Sequence, residues 1–98
     1  PNLVLTALNA PNAEPILLPK VDQQITIGRD DSCDIFIDDP SISRLHAYMQ
    51  VKDKCLYLAD NHSANKSYVN TSPIEKAKVQ PGDILEFGHV CFLLHYAS

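Results

Sequence analysis

Residues 38–51 read DDPSISRLHAYMQV. The stretch opens on Asp38-Asp39-Pro40-Ser41, a cluster of turn-forming residues, and closes on HAYMQV (46–51), a short run rich in apolar and aromatic residues. Between breaker and strand stands Ser43-Arg44-Leu45-His46, which holds one of the two arginines in the chain. A strand that begins directly after a proline-marked turn is the unit from which the rest of the sequence is built.

The same unit recurs in both directions. LVLTAL (3–8), ILL (16–18), QITIG (24–28) and DIFI (34–37) precede the stretch, and CLYLA (55–59), SYVN (67–70), ILEF (84–87) and VCFLLHY (90–96) follow it. Pro, Asn, Asp, Gly and Ser clusters separate these runs at spacings near ten residues. Pro81-Gly82-Asp83 predicts a type II turn, with proline setting φ at the first corner and glycine supplying positive φ at the second. No stretch sustains an i, i+3, i+4 apolar pattern, and the best helical candidate, PIEKAKV (73–79), is too short to support a helix. Many short strands with regular turns predict an all-β protein, an antiparallel β-sandwich.

Ninety-eight residues with 45% hydrophobic content are enough for one core, so a single domain over 1–98 is expected. The first residue is Pro1 rather than methionine, which makes a module excised from a longer protein the expectation. No apolar run approaches the roughly 20 residues of a bilayer-spanning helix, and no charged segment leads into an apolar one as in a signal peptide. The net charge of −4 argues against a duplex nucleic-acid binder. Cys33, Cys55 and Cys91 are odd in number, widely spaced and set in apolar surroundings (CDIFI, KCLYL, VCFLL). They are expected to be buried reduced thiols, which favours a cytoplasmic setting. Neither they nor the four histidines show paired metal-ligand spacing, so no metal and no cofactor are expected.

Four features fall between the strands: Gly28-Arg29, Ser43-Arg44-Leu45-His46, Asp60-Asn61-His62-Ser63-Ala64-Asn65 and Tyr68-Val69-Asn70. Loops at one end of a sandwich can converge although they are distant in sequence. Two guanidinium groups, a hydroxyl and an amide would then meet. Arginine forks match phosphate oxygens, serine adds a donor, and asparagine can grip a peptide backbone. The ligand this collection suits is a phosphate ester carried on a peptide.

These residues resemble the forkhead-associated (FHA) domain. The family pattern runs glycine-arginine, serine-x-x-histidine, an S-x-N-G-T-like loop, V-N and a late G-D turn. This chain has Gly28-Arg29, Ser43-Arg44-Leu45-His46, Ser63-Ala64-Asn65-Lys66-Ser67, Val69-Asn70 and Gly82-Asp83, in that order. The resemblance implies an FHA/SMAD-like sandwich of about eleven short strands that recognises phosphothreonine in a partner protein and serves a Ser/Thr kinase pathway. It assigns Arg29, Ser43 and Arg44 to the phosphate, Asn65 to the peptide backbone and His46 to bracing the serine loop from behind. Neither a nucleic acid nor a membrane is implied as a partner.

Two departures have physical consequences. Lys66 replaces the usual glycine, a residue suited to positive φ, and costs about 1 kcal/mol there if the backbone is unchanged. Ala64 removes a hydroxyl that some members place near the phosphate. The altered loop motivates an alternative, a phosphate-independent interaction scaffold of the same fold. A Ser43-His46-Asp60 hydrolase triad lacks a nucleophile elbow, so an enzyme is not expected. Asp30, Asp31, Asp34, Asp38 and Asp39 read as solvated loop surface, or secondarily as a preference for basic residues near the phosphothreonine.

Overall fold

The computed structural model describes residues 2–10, 12–19, 22–53 and 55–97, and within them the chain is all β. Alternating apolar residues split the strands into two layers. One sheet runs in the order β2 (Ile16–Leu17), β1 (Leu3–Ala7), β11 (Val90–Tyr96), β10 (Ile84–Phe87), β7 (Ser67–Val69), β8 (Ser72–Ile74). The other runs β4 (Ile35–Phe36), β3 (Gln23–Gly28), β5 (Ala47–Lys52), β6 (Cys55–Asp60), β9 (Lys76–Val79). The sandwich of eleven strands agrees with the expected fold class.

The period of two places one side chain in two between the layers. Leu5, Leu85, Phe87, Phe92 and Leu94 of the first sheet close over Ile25, Ile27, Met49, Val51, Leu56 and Leu58 of the second, all buried. Ile42, in the loop before β5, is also buried, which pins that loop to the core.

Three details differ from the sequence reading. The PIEKAKV segment forms β8 and β9, whose Pro73 and Lys residues hid short edge strands. One strand pair, β3 with β4, is parallel, with Ile27 opposite Ile35. The three cysteines are free but only half-buried, because each sits at a loop or strand end or on an outward position. The Pro81-Gly82 turn is as expected: Asp83 N–H donates to the Gln80 carbonyl at 3.0 Å, and Gly82 has φ 100°. No helix among the described residues is long and apolar enough to cross a membrane.

Candidate functional site

Three loops meet at one end of the sandwich: β3–β4 with Arg29, β4–β5 with Ser43 and Arg44, and β6–β7 with Ala64, Asn65 and Lys66. Backbone bonds zip the first two together. Arg29 N–H donates to the Ser43 carbonyl at 3.0 Å, and Asp30 N–H donates to the Arg44 carbonyl at 3.1 Å. Gly28 makes this approach possible, since a Cβ there would collide with the backbone carbonyl of Arg44. The Cys33 thiol donates to the same carbonyl at 3.3 Å.

His46 ties the second loop to the third. It is fully buried, with its ring edge-on to Phe87 at 5.8 Å between centroids. Its Nδ1 accepts the Ser43 backbone N–H at 3.1 Å, and its Nε2 lies 2.9 Å from the Lys66 carbonyl. A carbonyl only accepts, so Nε2 carries the proton and the ring is the neutral Nε2–H tautomer. The ring thus links the Ser43 loop to the Lys66 loop.

Asp60 organises the third loop from beneath. Its carboxylate accepts Ser63 N–H at 3.0 Å, Ser63 Oγ–H at 2.6 Å and Ser67 Oγ–H at 2.7 Å. Burial pushes the Asp60 carboxyl up, but the hydrogen bonds from Ser63 and Ser67 outweigh it and hold the group below its ordinary value. Asp60 was not among the residues assigned to the site from sequence. The two serines at +3 and +7 are the signal that marks it.

The upper surface carries the candidate binding groups. Ser43 Oγ accepts the Ala64 backbone N–H at 3.1 Å, which joins the loops again and leaves the hydroxyl proton to be donated outward. Arg29 Nε donates to the Ile42 carbonyl at 3.0 Å, which fixes the guanidinium while its terminal nitrogens stay available. Arg44 is exposed and makes no side-chain hydrogen bond or ion pair among the described residues. Asn65 is exposed, and its Nδ2 donates to the Ser41 carbonyl at 2.8 Å, leaving Oδ1 as a free acceptor. Ser41 is itself anchored by Asp39 and by His89 N–H, through bonds that sequence alone did not reveal. Lys66 has φ 66°, so the backbone there keeps the left-handed conformation suited to glycine. The structure therefore brings Arg29, Ser43, Arg44 and Asn65 to one end, with His46 below them.

The ring of His46 meets the backbone of Ser43 rather than its hydroxyl. The nucleophile–base bond of a hydrolase triad is therefore missing. Among the described residues, no group of three potential ligands could hold a metal ion.

Comparison with known proteins agrees with this fold. The family model for the FHA domain matches residues 25–88. Glycogen accumulation regulator GarA of Mycobacterium tuberculosis is 36% identical over 86 residues, which cover 87% of this chain and 52% of GarA. The chain thus spans about half the length of the curated relatives it matches. The FHA domain of CT664 from Chlamydia trachomatis superposes with a TM-score of 0.90 at 25% identity, covering 100% of both chains. Mycobacterium tuberculosis EmbR, solved in complex with a low-affinity phosphopeptide, has the same fold, with a TM-score of 0.86 at 20% identity over 99% of this chain and 25% of that one.

Proposed function

The chain belongs to the forkhead-associated family, and on that premise we propose that it is a non-catalytic module recruiting a phosphothreonine-bearing protein in a Ser/Thr kinase pathway. The observation that carries the reading is the double tie of the Ser43 loop to the Ala64–Lys66 loop. His46 bridges them from below, and Ser43 Oγ accepts Ala64 N–H from above. This tie presents the Ser43 hydroxyl with both arginines of the chain beside it.

In this reading the phosphate sits over Ser43. The terminal nitrogens of Arg29 and the guanidinium of Arg44 supply charge-assisted donors, and the Ser43 hydroxyl adds one more. Asn65 Oδ1 accepts a backbone N–H of the peptide while its amide holds the Ser41 carbonyl. His46 touches no ligand atom. The phosphate-independent scaffold is disfavoured by Lys66, whose φ of 66° keeps the backbone that a glycine would adopt. The free cysteines fit a cytoplasmic encounter.

Matched libraries of phosphothreonine and threonine peptides test the reading by fluorescence anisotropy. Each charge-assisted bond contributes about 1.5–3 kcal/mol, so the phosphorylated member should bind at least tenfold tighter. Equal affinity across both libraries replaces recruitment by phosphate with the scaffold reading.

A further inference from the structure

The outer face of the β4-β3-β5-β6-β9 sheet has a charge opposite to that of the chain as a whole. Strand register sets its composition. Thr26, Tyr48, Ala59 and Lys76 form one cross-strand row, and Gln24, Gln50, Tyr57 and Lys78 form the next. Their neighbours in sequence, such as Ile25, Met49 and Leu58, point into the core, so these rows face outward. Lys52 extends the face toward the β5–β6 hairpin and is exposed, as are Lys76 and Lys78. Three of the four lysines among the described residues (52, 66, 76 and 78) thus share one face in a protein of net charge −4. No ion pair among the described residues engages them. Two carboxylates lie on the same side: Asp34, which accepts Thr26 N–H and Oγ–H at 2.9 and 3.2 Å, and exposed Asp22, two residues before Gln24, so the three lysines outnumber them by one.

The face also carries two phenols. Ala59 lies between Tyr48 and Lys76 in register, with Tyr57 two residues along the same strand. Ala59 is thus a small residue flanked by a phenol and an ammonium across the strands and by a second phenol along its own. Tyrosine is enriched at interfaces because it offers a rigid apolar body and a hydrogen-bonding tip at little entropic cost. Tyr48 of the first row stands two residues along the chain from His46, which underlies the proposed phosphate site.

We propose that this face is a second docking surface, which holds an acidic segment of the same phosphothreonine-bearing protein. The proposal rests on the recruitment reading above and adds to it the chemistry of the partner beyond the phosphothreonine. Carboxylates complement Lys52, Lys76 and Lys78 and accept from the Tyr48 and Tyr57 hydroxyls. The net negative charge of the domain weighs against nucleic acid as the occupant.

The test uses a phosphothreonine peptide selected from a library, extended at either end by a Gly-Ser spacer and four glutamates, or by four glutamines. At low salt the glutamate form at one end should bind about five- to tenfold tighter than its glutamine twin, as three exposed ion pairs allow. The gain should vanish in the Lys76→Gln/Lys78→Gln double variant and in high salt, while the bare phosphopeptide binds the variant as it binds the natural chain. No gain at either end, or a gain that survives the double variant, overturns the proposal. So does tighter lysine-dependent binding of a phosphatidylserine vesicle or an oligonucleotide, which would reassign the face. Failure of the bare phosphopeptide itself overturns the recruitment reading, and this inference falls with it.

Discussion

His46 Nδ1 accepts the backbone N–H of Ser43 at 3.1 Å while the opposite nitrogen of the same ring meets the Lys66 carbonyl at 2.9 Å. One buried imidazole thus sets the spacing of two loops that are about 20 residues apart in sequence, and neither nitrogen is left for a ligand. His46→Ala removes two buried hydrogen bonds and the edge contact with Phe87, and it leaves the Ser43 N–H and the Lys66 carbonyl without partners. A loss of about 3 kcal/mol in unfolding free energy is expected by denaturant titration. A His46→Ala protein that melts normally yet fails to bind phosphopeptide would place the ring in the ligand site instead.

Arg29→Ala and Arg44→Ala should each weaken phosphopeptide binding by tenfold or more while moving the melting temperature little, since both residues are exposed. Arg29 should cost more, because its Nε bond to the Ile42 carbonyl pre-sets the fork. Isothermal titration beside thermal melts separates the two effects. Wild-type affinity in both variants removes the arginines from the site.

Asp60 supplies a pH dependence with a definite sign. Burial raises its carboxyl, but the Ser63 and Ser67 bonds lower it further, so its folded pKa lies below the unfolded one of about 3.9. Its stabilising contribution is complete above that unfolded value and is lost as pH falls through the folded one. Asp60→Asn should therefore be less stable than the natural protein at pH 6, with the gap narrowing toward pH 3. A gap independent of pH would show that the carboxylate charge is not what holds the loop.

The sandwich was legible because apolar residues alternate and turn residues punctuate them, and the candidate site was legible because Arg29, Ser43, His46 and Asn65 stand in a recognisable order. Two parts were hidden for physical reasons. Strands β8 and β9 are edge strands of three and four residues, too short for their alternation to stand out, and Pro73 lacks the N–H of a sheet ladder. The ties from Ala64 N–H to Ser43 Oγ and from Asn65 Nδ2 to the Ser41 carbonyl join loops more than 20 residues apart, and one of them uses a backbone donor that carries no sequence signature.

The β7–β8 hairpin turns through Asn70 and Thr71, at φ 49° and 72°, with Val69 paired to Ser72. Two central residues at positive φ make a type I′ turn, for which a β-branched threonine is poorly suited. Thr71→Gly should raise unfolding free energy by about 1 kcal/mol without changing phosphopeptide affinity, because the turn lies outside the three binding loops. An unchanged or lower stability in chemical denaturation would mean that the Thr71 hydroxyl bond to the Asn70 carbonyl offsets the strain.

Lys66 carries the same kind of strain inside the site, and its carbonyl is one end of the His46 brace. Glycine at this position relaxes φ 66° at no steric cost, so Lys66→Gly should gain about 1 kcal/mol in stability. The substitution also deletes an ammonium from the loop that presents Asn65, which should weaken phosphopeptide binding about two- to threefold at low salt and less at high salt. Stability and affinity should therefore move in opposite directions. That expectation depends on Asn65 already holding its working position, which the 2.8 Å bond from its Nδ2 to the Ser41 carbonyl supports. Thermal melts and titrations of both proteins with one phosphopeptide decide the matter. If affinity and stability both rise, the lysine holds the loop away from its binding shape, and Asn65 leaves the peptide-binding set.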